Sequence, residues 1–319
     1  MINYLLQQGS GQARVLIGAK PITSIIAKEE VPDSVKQKLN LILEIRNFAF
    51  DSLGLKPNNN YTTFFDQRGK PLLWVVTACP PFELKSKEWH FPIIGNVSYK
   101  GFFDLKKAEI EIKKLESQGF EAEISEVSAW STLGWFKDPV LSSMLERNEG
   151  SLANMIIHEL THGTLFVADD VEFYENLASF IGDLGAIKFL EHKYGKDSKH
   201  LKTYINRQSD YQKYSNHMIK GAKHLNELYE SENFQKLSLE NRIFEKRELM
   251  TRILCSADTL KLHNKREIMI DQTNVPKNTR FVDLLNYRSK QDELKKLFLE
   301  QHDGNFVSFM NEMKQNYLK

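Results

Sequence analysis

Residues 158–162 read His-Glu-Leu-Thr-His, an HExxH pattern. On a helix, positions four apart lie on one face, about 6 Å from each other along the axis. That spacing lets His158 and His162 bind one Zn²⁺ at about 2.0–2.1 Å. Glu159 stands about 100° round the helix from His158. It is close to the ion but badly placed to join the two-histidine chelate, so it suits a general base acting on water. With nine histidines in the chain, chance would produce the pattern in roughly a few hundredths of such sequences. The flanking Met155, Ile156, Ile157 and Leu160 make the helix apolar around the motif. Two histidines and a glutamate on such a helix are costly to bury without a ligand.

A catalytic zinc site needs a third protein ligand and leaves the fourth position to water. Residues 163–167 continue the helix, 168–170 make a turn, and Asp169 with Glu172 reads as a capping box for a second helix. His162 lies about five residues before this turn and Glu175 about five after it, so an antiparallel pair returns them to one level at about 1.5 Å per residue. Glu175 is therefore the expected third ligand. Glu172 is one turn too near the turn and reads as a cap. Asp183 is about 12 Å further along the axis and reads as a supporting or solvent-facing residue. His217 and His224, seven apart on a polar helix, read as exposed surface histidines, and His90 as a packed or edge residue. Trp130, Trp135 and Phe136 surround Gly134 just before the HExxH helix; they suit a core and a cleft wall equally.

The elements that hold these residues can be read from breakers and periodicity. After Pro139 the sole proline is Pro276, and after Gly195 the glycines are Gly221 and Gly304. Such a stretch, rich in Glu, Lys and Leu, predicts helix after helix from Val140 on, with breaks near Ala168, Lys196, Gln235, Asn274 and Gly304. The first fifty residues also read mainly as helix, with a start at Pro32-Asp33-Ser34 and a stop near Gly54. Strands are expected over 72–78, 93–99 and 121–129, and Asp104 should cap a helix ending at Gly119. The fold class expected is α+β and predominantly α. It is one domain over 1–319, with a mixed part over 1–140 and a helical part over 141–319.

The charge balance, 43 Lys+Arg against 42 Asp+Glu, argues against a dedicated nucleic-acid binder. No run of apolar residues is long enough for a transmembrane helix, and the first residues lack the pattern of a signal peptide. Cys79 and Cys255 cannot build a disulfide framework and have no CxxC spacing.

The HELTH segment followed by a glutamate on the next helix resembles the gluzincin class of zinc metallopeptidases. More narrowly, the chain is similar to the bacterial "putative aminopeptidase" family over most of its first two-thirds. The similarity lies in residues 44–55 (EIRNFAFDSLGL), 89–104 (WHFPIIGNVSYKGFFD), 129–139 (AWSTLGWFKDP) and 158–182. The resemblance implies a zincin-like fold with a small sheet beside the HExxH helix. It also implies one zinc per chain on His158, His162 and Glu175, Glu159 as the base, and a peptide substrate. The chain departs from the family at Tyr174, where an asparagine is common, and at His90, where a cysteine is common. Family members often carry an export signal and a lipid-modified cysteine, which implies the cell envelope or periplasm if such a signal has been trimmed.

The function expected is zinc-dependent peptide hydrolysis of aminopeptidase type. The alternatives are an endopeptidase, a zinc hydrolase of another substrate, and a binding or scaffold protein with a vestigial site. Helical zinc peptidases often take an oxyanion donor from the C-terminal half; Tyr287 is the candidate, with a partly buried structural tyrosine as the alternative. An aminopeptidase must pair the substrate's ammonium with a carboxylate near the zinc. Glu126, or else Asp138, is expected within about 10 Å of the ion, facing open cleft. The strand over 121–129 and the loop over 131–136 are expected to edge that cleft, because a free strand edge can pair with an extended peptide.

Overall fold

The computed structural model describes residues 2–91, 95–126, 137–165, 167, 170–264 and 277–318. It is α+β and predominantly helical. The N-terminal third holds helices α1 (Ile2–Gly18), α2 (Ile22–Ile26), α3 (Asp33–Asp51) and α4 (Leu105–Ser117), interleaved with short strands. From residue 149 on there follow α5 (Glu149–His162), α6 (Val171–Tyr194), α7 (Lys199–Glu230), α8 (Glu232–Gln235), α9 (Leu239–Ser256), α10 (Thr279–Arg288), α11 (Gln291–Glu300) and α12 (Phe306–Tyr317).

Polar caps set where many of these helices begin. The side chains of Asp104, Asn148, Asp170, Ser198, Ser238 and Asn305 each accept a bond from a first-turn backbone N–H, satisfying donors that have no partner inside the helix. The cap of α6 is Asp170, bonded to Phe173 N at 2.9 Å. The capping box expected from Asp169 and Glu172 is thereby corrected: Asp169 lies outside the described residues, and Glu172 accepts a hydrogen bond from Ser289 on the turn after α10.

Among the described residues the strands form three small sheets rather than one. Strand β1 (Lys20–Pro21) pairs with β2 (Thr63–Phe65), which runs parallel to β8 (Val140–Leu141). Strand β3 (Trp74–Cys79) lies between β6 (Tyr99–Phe102) and β7 (Glu121–Glu126), antiparallel to both. Strands β4 (Trp89–Phe91) and β5 (Gly95–Val97) make a hairpin. Of the segment expected as one strand over 93–99, residues 93–94 lie outside the described residues and the rest is divided between β5 and β6. Val140, read as the start of helical structure, belongs instead to the two-residue β8, because Phe64 offers it a backbone partner. The main neighbours of the β6-β3-β7 sheet are α4 and α10, not the HExxH helix, and α10 in turn lies on α6. Lys246 of α9, 1% exposed, bonds Glu121 of β7 and the carbonyl of Pro81 at 2.7 Å. A buried ammonium needs such partners, so this pair fastens the helical half to the sheet.

The largest core packs α3, α5 and α6 together with Phe298, Phe306 and Phe309 of the last helices. Helices α5 and α6 approach so closely that a Cβ on Gly182 would stand 3.0 Å from the Asn154 carbonyl and 3.2 Å from His158 Cβ. A Cβ on Gly185 would meet Ile157 at 2.8 Å. The pairs 157/185, 158/182 and 162/175 run in opposite directions along the chain, so the two helices are antiparallel.

Candidate metal centre

Helix α5 buries Leu152, Ala153, Met155, Ile156, Ile157 and Leu160. That anchoring turns His158 and His162 toward α6. Their Nε2 atoms are 3.2 Å apart. Glu175 Oε2 lies 3.4 Å from the first and 3.5 Å from the second. Three donors at about 2.0–2.2 Å from one tetrahedral ion stand roughly 3.3–3.5 Å from each other, so the triangle has the dimensions of a tetrahedral zinc face. Two imidazole nitrogens and one carboxylate oxygen are also a donor set that zinc prefers.

The electrostatics agree with a site built to hold positive charge. Burial alone would raise Glu175, but the charge of His162 and hydrogen bonds from both histidines hold it below the usual carboxylate range. Burial works against a charged His158, yet Glu175, Glu159 and Asp183 together raise it above the ordinary histidine value. Glu159 is half-buried and has no hydrogen bond or ion pair among the described residues. Its charge acts on His158, Tyr61, Tyr174 and Tyr287, which places its carboxylate among these groups with its oxygens uncommitted.

Supporting residues hold the triangle. Tyr174 packs its ring on His162, centroids 4.5 Å apart, and its hydroxyl reaches the carbonyls of His162 and Leu165 at 3.1 and 2.9 Å. It thus braces the end of α5. Asp183 accepts bonds from Asn154 at 2.6 Å and from Arg288 at 2.7 Å, with Gln208 and Tyr204 beside it. It is a supporting residue rather than a solvent-facing one. The fully buried Asn176 donates to the carbonyls of Glu172 and Asn286 and accepts from Lys290 N. That stitching fixes α10 over α6 and sets Tyr287 near Glu175. Glu175's charge, then burial, raise the Tyr287 phenol well above its ordinary value, and the side chain is 38% exposed. Sequence reasoning missed Asn176, Arg288 and the role of Tyr174; an Asn or Tyr directly beside the candidate glutamate Glu175 was the available signal.

Other expectations fare differently. Asp138 is fully buried, with its carbonyl accepting from Tyr61 N at 2.7 Å, so it does not face an open cleft. Glu126 is exposed at the end of β7, opposite Trp74. His217 is half-buried and bonded to the Ile253 carbonyl at 2.8 Å, because α9 packs on α7; the surface reading holds for His224 alone. His90 sits exposed on the β4–β5 hairpin, bonded to Asn96 at 2.9 Å. Trp130, Gly134, Trp135, Phe136 and the loop over 131–136 lie outside the described residues.

Asp283, one turn before Tyr287 on α10, is pushed up to about 6 by burial and by the charge of Glu123. Between the ordinary aspartate value of 3.8 and this value the folded chain holds a proton that the unfolded chain has released. Stability therefore falls as pH rises through that window and levels off above it. Asp283→Asn should match the parent in urea unfolding at pH 4 and exceed it at pH 7 by on the order of 2 kcal/mol. Equal stability at both pH values would mean that the carboxylate is solvated.

A family model described as "Putative aminopeptidase" matches residues 3–317. Neither a curated protein nor a solved structure matches the chain.

Proposed function

The chain belongs to the family described as "Putative aminopeptidase", and from that premise we propose that it is a zinc-dependent peptide hydrolase of aminopeptidase type, zincin-like in its arrangement. The observation that carries this reading is the triangle of His158 Nε2, His162 Nε2 and Glu175 Oε2 beside an uncommitted Glu159. His158, His162 and Glu175 would hold one Zn²⁺, and a glutamate supplied by the next helix is the feature that supports a gluzincin-like reading. When bound, the ion supplies a Lewis acid for the scissile carbonyl and lowers the pKa of water toward about 7.

The chain's own residues do the rest. Glu159 takes a proton from the attacking water and returns it to the leaving amine. Tyr287 donates its hydroxyl to the carbonyl oxygen as negative charge develops there; a phenol held protonated by Glu175 keeps that proton available. Tyr174 and Asp183 keep the two histidine-bearing turns in register with Glu175.

The test is zinc analysis combined with matched short peptides whose amino termini are free or acetylated. One zinc per chain is expected, with free-amine peptides cleaved at least about tenfold faster, because a site that pairs a substrate's charged group rejects analogues lacking it. Equal rates on the two sets would make it an endopeptidase. Zinc bound with no turnover of any peptide would remove the peptidase reading altogether.

A further inference from the structure

Tyr61 bears two local costs at once. Its φ is +59°, in the left-handed region that a bulky residue seldom adopts. Its side chain is fully buried, and the phenolic oxygen has no hydrogen-bond partner among the described residues. Either cost was easy to avoid. Phenylalanine would fill the same space without an orphaned hydroxyl, and the preceding Asn58, Asn59 and Asn60 are of a type that takes the left-handed conformation far more readily. Strain and unsatisfied polar atoms that persist together point toward a functional demand.

The surrounding backbone is arranged to impose this geometry. Arg46 on α3 donates to the carbonyls of Asn58 and Asn60, and Asn58 Oδ1 accepts from Asn60 N at 2.9 Å. Tyr61 N donates to the Asp138 carbonyl, whose own N–H donates to Asn60 Oδ1 at 3.2 Å. The loop is docked on the end of the HExxH helix. Lys56 N donates to Thr164 Oγ1 at 3.0 Å, and the Asn58 amide comes within 3.1 Å of where a Cβ on Gly163 would stand. The phenol is thus driven into the core under α5. There burial, then the charges of Glu159 and Asp138, disfavour its ionisation, so the hydroxyl keeps its proton.

We propose that Tyr61 is a positioning residue for Glu159, its buried hydroxyl donating to the Glu159 carboxylate in the metal-loaded protein. This rests on Glu159 being the base. Full burial keeps Tyr61 from substrate, so it acts through the carboxylate, fixing one oxygen and leaving the other aimed at water. Bonds of this kind are often long before ligands arrive and tighten afterwards.

Tyr61→Phe tests it. The variant should keep its zinc and, freed of metal, melt no lower than the parent, since the hydroxyl removed has no partner there, while kcat falls about tenfold or more with KM nearly unchanged. Combined with Glu159→Gln it should cost nothing further, because the group it acts through is already gone. A parental kcat, or a fall in kcat matched by a lower melting temperature of the metal-free protein, overturns the proposal. A parent without peptidase turnover would defeat the peptidase reading separately. Tyr61 is then judged by melting of the zinc-loaded parent, the two single variants and the double variant. Non-additivity of roughly 2 °C supports the contact and strict additivity overturns it.

Discussion

Glu159→Gln should retain one zinc per chain and lose about 10²–10⁴-fold in kcat, with KM close to the parent's. Glutamine keeps the length and hydrogen-bonding shape of the side chain but cannot accept a proton from water. The variant is clean because Glu159 contributes no hydrogen bond or ion pair to the fold among the described residues. The triangle of His158, His162 and Glu175 is complete without it, so zinc content should not move. The outcome is read by metal analysis alongside initial rates on a free-amine peptide. Full turnover in this variant would sink the mechanism, whatever the metal content.

His158→Ala and His162→Ala should each lose most of their zinc, and Glu175→Ala should weaken it strongly. Removing a residue that merely supports a ligand commonly costs 10–100-fold in metal affinity, so removing a ligand itself should cost more than about 100-fold. The three donors converge at 3.2, 3.4 and 3.5 Å, and deleting any one leaves a two-point chelate. The measurement is zinc per chain after dialysis against a weak chelator. Stoichiometric zinc in both histidine variants would place the metal elsewhere. His162→Ala carries an added penalty, since the ring is buried against Tyr174, and its unfolding curve should be compared with that of His158→Ala before the zinc values are set side by side.

The convergence of His158, His162 and Glu175 was legible because its logic is local. Two histidines four apart face the same way on any helix, and the distance from His162 to Glu175 is a short count through one turn. An antiparallel pair with a tight connection has little freedom to misplace them. The caps Asp104 and the stop at Gly54 were legible for the same reason: each depends on a few neighbouring residues. The cap of α6 was missed by one residue because Asp169 and Asp170 are chemically equal candidates, and only the path of the chain into the helix chooses Asp170.

Contacts between distant segments were not legible. Val140 became a strand because Phe64, far earlier in the chain, offered it a parallel partner. The sheet came to rest on α10 because Asn278, at the start of that helix, bonds Glu121, and Lys246 of α9 bonds the same carboxylate. Tyr287 stood out as a residue type, but what sets it near Glu175 is Asn176 bonding Asn286 and Lys290. Asp138 read as an exposed cleft acid and is buried, because its backbone clamps Tyr61. In each case the deciding free energy is burial and hydrogen bonding between residues that no spacing relates. Helix periodicity settles which residues share a face, and the packing of one face on another settles which of them meet.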